Sequence, residues 1–178
     1  ELIDAVSNKD DEIAGYVLEE KPVPANVLKQ AIRRLTCKIE FVPVVCGSAY
    51  KKKGVQPLVD SVIDYLPGPL DIPPAQGHIP GTDEKADVPS DDNGKFCSLA
   101  FKLWTDPYVG KLVFFRVYSG MLKKGDTIYN PRTRKRERVS RVMMIQADKR
   151  IDVETVYAGD IAALVGLRNI STGDTLCD

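Results

Sequence analysis

From Phe96 onward the apolar residues of this chain change rhythm, and that change limits what it can fold into. In SLAFKLW, Leu99, Phe101 and Leu103 alternate with Ala100, Lys102 and Trp104. In KLVFFRVYSG, Leu112, Phe114, Arg116 and Tyr118 alternate with Val113, Phe115 and Val117. IDVETVY sets Ile151, Val153, Thr155 and Tyr157 against polar neighbours. A period of two sends successive side chains to opposite faces of a strand. Several short strands with Gly-rich punctuation predict an antiparallel β-barrel or sandwich over residues 93–178. Three Gly-Asp pairs, Gly125-Asp126, Gly159-Asp160 and Gly173-Asp174, each precede an apolar run. Gly supplies a positive φ and Asp bonds nearby amides, so each pair is predicted to turn the chain and launch a strand.

The first third reads differently. Residues 1–38 have helical spacing, clearest in PANVLKQAIRRLT, where Val27, Leu28, Ala31, Ile32 and Leu35 share one face. DDEIAGYVLEE is weaker, because Gly15 costs about 1 kcal/mol against Ala inside a helix. FVPVV, residues 41–45, reads as a short buried strand near a sheet edge, since Pro43 cannot donate to a ladder. GVQPLVDSVIDYL then gives a helix with Val55, Leu58, Val59, Val62, Ile63 and Leu66 in one stripe. Pro57 suits its first turn, and PGP stops it. Helix, strand, loop, helix predicts the end of an α/β domain over residues 1–67, holding an incomplete parallel sheet. Residues 68–92 are rich in Pro and acids and predict a linker or an extended crossing segment.

Charge is balanced overall, with 25 basic and 25 acidic side chains. It is unevenly spread: residues 93–178 carry 15 basic side chains against 9 acidic. Such asymmetry points to a polyanion partner. NPRTRKRERVSR concentrates it, with Arg132, Arg134, Lys135, Arg136, Arg138 and Arg141 against one Glu137. On a strand, 132, 134, 136 and 138 share a face, and such a stripe can track a phosphate backbone; the alternative is a solvated hairpin arm.

Other classes are excluded. The four cysteines, at 37, 46, 97 and 177, have no C-x-x-C spacing and are expected to be reduced, mostly buried thiols of a cytoplasmic protein. One histidine, His78, leaves no His-based triad or metal site. No apolar run approaches the ~20 residues of a membrane helix. The chain starts at Glu1 without Met or a basic segment, which predicts a piece of a longer protein and no signal peptide. No Asp/Glu pair points to acid–base catalysis.

Three short motifs touch nucleotide chemistry. NKDD, residues 8–11, fits the N-K-x-D pattern that reads guanine, but Leu2, Ile3, Ala5 and Val6 before it are spaced as a helix, not a strand. DDNG, residues 91–94, fits D-x-x-G only trivially, and no G-x-x-x-x-G-K-[ST] phosphate loop exists. CGSA, residues 46–49, follows the apolar run. Loops at the ends of strands are where α/β sheets bind ligands. Small residues let a backbone amide approach a flat base and donate to a carbonyl such as guanine O6; the plain alternative is a tight turn. The three lysines after it read as solvated.

VVCGSAYKKKGVQPLVDSVIDYLPGP, LAFKLWTDPYVGKLVFFRVYSGMLKKGDTIYN and AGDIAALVGLRNISTGDTLCD resemble bacterial elongation factor G, the GTPase that translocates tRNA and mRNA on the ribosome. The resemblance implies that residues 1–67 end a GTPase domain and that 93–178 are its second, β-barrel domain. It implies that Gly47, Ser48 and Ala49 frame the guanine of GTP or GDP, largely through backbone amides. It places the phosphate loop, magnesium ligands and catalytic residues outside this chain. No nucleotide or metal is therefore expected on the chain alone, nor GTP hydrolysis by it. The barrel is expected to touch small-subunit ribosomal RNA, with Arg132, Arg134, Lys135, Arg136 and Arg138 as candidate contacts. The resemblance also places the tRNA–mRNA complex among the partners of the parent protein. A cytoplasmic monomer without membrane contact is expected. Alternatives are a ribosomal-protection or release-type translational GTPase, or a free-standing RNA-binding barrel.

Overall fold

The computed structural model describes residues 1–178. The chain divides into two compact units, Glu1–Ile72 and Pro73–Asp178.

The first unit is helical: α1 Leu2–Ser7, α2 Asp11–Leu18, α3 Ala25–Cys37 and α4 Val55–Tyr65. Asp10 caps α2 by accepting from the Ile13 amide (3.3 Å), which satisfies a donor the first turn leaves open. Arg34 of α3 holds that cap, with Nη2 2.9 Å from Asp10 Oδ2 and 2.7 Å from Glu12 Oε2. Val6, Ile13, Ala31, Ile32 and Leu35 form the core, with Val27 and Leu28 packed against it. This is the face predicted for α3. NKDD links α1 to α2: Asp10 caps α2 and Asp11 begins it.

Arg33 ties α4 to α3 by donating to the carbonyls of Ile63 (3.1 Å) and Asp64 (3.0 Å) near the end of α4. Lys29 adds an ion pair to Asp64 at 2.8 Å. The apolar stripe of α4 is only half covered: the helix buries no residue, and Leu58 and Val62 are each 49% exposed. The expected parallel sheet is absent. Residues 41–45 form no strand, with Val44 84% exposed. The physical reason is local: Pro43 lacks a donor, and no other strand in residues 1–72 offers these residues a ladder.

The second unit is antiparallel β. Residues 68–92, expected as a linker, contain a hairpin, β1 Ala75–His78 with β2 Lys85–Val88. Then follow β3 Cys97–Asp106, β4 Gly110–Ser119, β5 Leu122–Lys123, β6 Thr127–Asn130, β7 Lys135–Arg138 and β8 Arg141–Gln146. The last are β9 Lys149–Val153, β10 Thr155–Val156, β11 Ile161–Val165 and β12 Thr175–Cys177. One eight-stranded sheet runs β7-β6-β12-β3-β4-β11-β8-β9, and β5 pairs with β10 beside it. The expected barrel takes the form of an open, barrel-like sheet whose order leaves β7 and β9 at its edges.

Its main core joins Val113, Phe115 and Val117 of β4 to Val142, Leu164 and Leu176. The other face of β4 carries a smaller cluster, Leu112 with Met143 and Ala163. A bulge between Ala100 and Lys102 interrupts the alternation of β3, leaving Phe101 exposed.

The Gly-Asp pairs act as predicted. Gly125, Gly159 and Gly173 have φ of 97°, 93° and 91°. Asp126 accepts from the Lys123 amide (2.8 Å), Asp160 from Tyr157 (2.9 Å) and Asp174 from Ser171 (2.8 Å). Each carboxylate reaches three residues back and fixes the turn before β6, β11 or β12.

Candidate functional site

Gly47, Ser48 and Ala49 lie in a loop that folds back on itself before α4. The Ser48 amide donates to the Lys53 carbonyl (2.9 Å), and the Lys53 amide donates to the Ser48 carbonyl in return (3.0 Å). The Lys52 amide donates to the Ala49 carbonyl (3.0 Å), and the Lys51 amide reaches Ser48 Oγ (3.4 Å). The turn therefore consumes the Ser48 amide, while the Ser48 hydroxyl accepts one long contact and keeps its own donor. The Ala49 amide makes no backbone bond, so it is free to meet a ligand. Lys51, Lys52 and Lys53 form no ion pair. The loop needs its glycines. A Cβ on Gly47 would lie 2.9 Å from Lys53 O, and one on Gly54 2.9 Å from Cys46 O. Gly54 also has φ of 75°, which side chains other than Gly rarely accept.

The basic stretch is not one strand face. Only Lys135, Arg136 and Arg138 lie on β7; Arg132 and Arg134 belong to the turn before it. Arg132 is committed elsewhere. Its guanidinium grips Asp174 with both Nε and Nη2, and Nη2 also donates to Ser171 Oγ (3.0 Å). Asn130 Nδ2 adds a bond to Asp174 Oδ2 at 2.8 Å. The Arg132 guanidinium leads the groups that lower the Asp174 carboxyl to about 2. Arg138 Nε donates to Gly125 O (3.1 Å). Glu137 accepts from the amides of Arg168 (2.8 Å) and Asn169 (3.0 Å). Arg134, Lys135 and Arg136 remain exposed without a carboxylate partner. With Arg138, which also has no carboxylate partner and spends only Nε on Gly125 O, these are the cations the turn and β7 leave for an anion.

Sequence reasoning missed two features. Asp106 accepts from the amides of Tyr108 (2.8 Å) and Val109 (3.0 Å) and from Arg150, and the Tyr108 amide leads the causes that lower its carboxyl. Lys102 sits 5.4 Å above the Trp104 ring, which stacks on Phe114 with centroids 6.4 Å apart. The alternation placed Lys102 and Trp104 on one face, but nothing local marked Arg150 as the partner of Asp106. The cysteines differ from expectation too. Cys46 is exposed, and Cys37, Cys97 and Cys177 are half-buried. No group of three His, Cys, Asp or Glu is placed to hold a metal ion, and no helix is long and apolar enough to cross a membrane.

Two comparisons bear on these geometries. Residues 110–177 match the family described as Elongation factor Tu domain 2, a translation-factor module. The fold is also similar to a crystal structure of a protein from Thermus thermophilus, with a TM-score of 0.70 and 22% identity. That similarity covers 99% of this chain and 24% of the other, so the chain spans about a quarter of the length of the protein it matches.

Proposed function

We propose that this chain is part of a translational GTPase of the elongation factor G type, which drives tRNA–mRNA translocation on the ribosome. The observation that carries the reading is the match of residues 110–177 to Elongation factor Tu domain 2. In this reading the β unit docks on small-subunit ribosomal RNA. Arg134, Lys135 and Arg136 supply the phosphate contacts, and Arg132 holds the turn that presents them. The loop at 46–54 forms one wall of a guanine site. Its contribution is the Ala49 amide, held by the bonds that occupy Ser48. Guanine O6 is an acceptor that such an amide suits. The GTP phosphates and magnesium are met by residues of the parent protein outside this chain. When bound, magnesium neutralises charge on the phosphates; the present residues only orient the base and dock the module.

Toeprinting with the full-length protein on programmed ribosomes tests the reading. A GTP-dependent shift of the mRNA by one codon is expected. Release of the nascent peptide, or displacement of a ribosome-bound antibiotic without that shift, would replace it with a release-type or protection-type GTPase.

A further inference from the structure

Cys97 and Cys177 are register partners on β3 and β12. Their place in the ladder decides how close they come. The Ala100 amide donates to the Asp174 carbonyl (2.9 Å), and hydrogen-bonded positions recur every second residue. Leu99 opposite Thr175 is therefore a non-hydrogen-bonded pair, and so is Cys97 opposite Cys177. Residues in such pairs have Cα atoms about 4.5 Å apart, inside the range a disulfide spans. Ser98 and Leu176 point into the core, so both cysteines point to the other face. There they line a cleft of about 560 Å³ together with Ala86 and Val88 of the hairpin, Leu99 and Tyr118. Both thiols are half-buried, within reach of a small solute. The Cys177 thiol makes only a weak contact to Tyr129 O, 3.7 Å away, so rotation about its Cα–Cβ bond is inexpensive.

We propose that Cys97 and Cys177 form a reversible dithiol–disulfide site that closes across the β3–β12 ladder when a peroxide enters the cleft. One sulfur, as thiolate, attacks a peroxide oxygen. The O–O bond breaks, hydroxide leaves and takes up a proton, and a sulfenic acid forms. The second sulfur attacks the sulfenic sulfur. The S–S bond forms, the S–O bond breaks, and water leaves with the remaining thiol proton. Two thiols and one peroxide thus give one disulfide and two waters. A small disulfide serves equally, through a mixed disulfide and two thiol products. Burial raises both thiols above their ordinary range, with Cys97 and Asp178 adding to the effect at Cys177. Thiolate is then scarce at neutral pH, and closure is slow. The bond staples the three-residue strand β12 across a loop of roughly 80 residues, so the oxidised protein melts higher.

Intact mass spectrometry of the chain after hydrogen peroxide tests the site, with non-reducing peptide mapping. The expected product is lighter by two hydrogens, carries a Cys97–Cys177 peptide pair, melts several degrees higher and reverts with dithiothreitol. Cys97→Ser and Cys177→Ser each abolish the mass loss, and the double variant Cys37→Ser/Cys46→Ser retains it. Oxygen adducts on the separate cysteines, or a cross-link through Cys46, overturn the proposal. Because the wild-type chain gives the primary readout, a variant that folds poorly does not decide the outcome.

Discussion

The Arg132 guanidinium lies against the Asp174 carboxylate in a two-pronged pair, with Nη2 2.8 Å from Oδ2. Asp174 closes the last Gly-Asp turn and Arg132 opens the turn before β7, so one ion pair fixes two loops that are distant in sequence. The Asp174 side chain is only 3% exposed while that of Arg132 is 55% exposed. The burden of desolvation therefore falls on the carboxylate, and Asn130 and the Ser171 amide share in offsetting it.

Acid should dissolve this network. The carboxyl titrates near 2 in the folded chain and near 3.9 when unfolded. A depressed folded value stabilises fully above about pH 4 and is lost as pH falls toward 2. Asp174→Asn is expected to lower stability by on the order of 2 kcal/mol at neutral pH, because the paired groups lose a charged acceptor. Melting curves of wild type and variant should converge between about pH 4 and 2. Parallel curves across that window would mean the pair contributes nothing through charge.

The cations beside it should behave differently. Arg134→Ala, Lys135→Ala and Arg136→Ala together remove exposed charges with no carboxylate partner. They are expected to weaken RNA binding, with the slope of log K against log salt falling by roughly 0.7–0.9 for each phosphate left without its cation. The melting temperature should stay within a degree or two. Arg132→Ala should give the opposite split, a lower melting temperature with a smaller change in slope. Filter binding across a salt series, with melting in parallel, separates the two roles.

That division of labour was only half legible in the sequence. The density of arginines was visible, and so was the Asp174 turn, but Arg132 and Asp174 are 42 residues apart and nothing local pairs them. The face of α3, the stripe of α4 and the strand starts after Gly-Asp were readable because each rests on spacing within a few residues. FVPVV misled for the complementary reason. Its valines favour a strand, yet a strand needs a partner, and none lies in residues 1–72. The hairpin at residues 75–88 was hidden by composition, since AQGH and KADV carry little strand preference. At the loop, the small residues announced a close approach, but not that Lys53 would consume the Ser48 amide.

Gly54 is the tightest constraint in that loop. Its φ of 75° and the 2.9 Å approach that a Cβ would make to Cys46 O act together. Gly54→Ala is expected to cost about 1–2 kcal/mol through the left-handed backbone alone, and more where the chain cannot shift. The displaced backbone would pull Lys53 away from Ser48. Amide exchange at Ser48 and Lys53 should therefore accelerate in the variant. In the full-length protein, GDP affinity should fall with it, while Ser48→Ala, which removes only the hydroxyl, should bind nearly as before. Equal losses for both variants would assign the hydroxyl a direct role in binding and count against the amide reading.

The two helices before and after that loop give a final contrast. Leu35 of α3 is 2% exposed in the helical core, whereas Leu58 of α4 is 49% exposed with the rest of its stripe. Leu35→Ala removes buried methyl groups and leaves a cavity, at a cost of about 2–5 kcal/mol. Leu58→Ser changes a side chain that is half exposed, so it should shift the stability of this chain by no more than about 1 kcal/mol. Chemical denaturation of both variants measures the difference. In the longer parent protein of the proposed reading, a covered stripe would make Leu58→Ser costly, by about 2 kcal/mol or more. A stripe that tolerates Leu58→Ser in both contexts would show that it stays without a further cover in either.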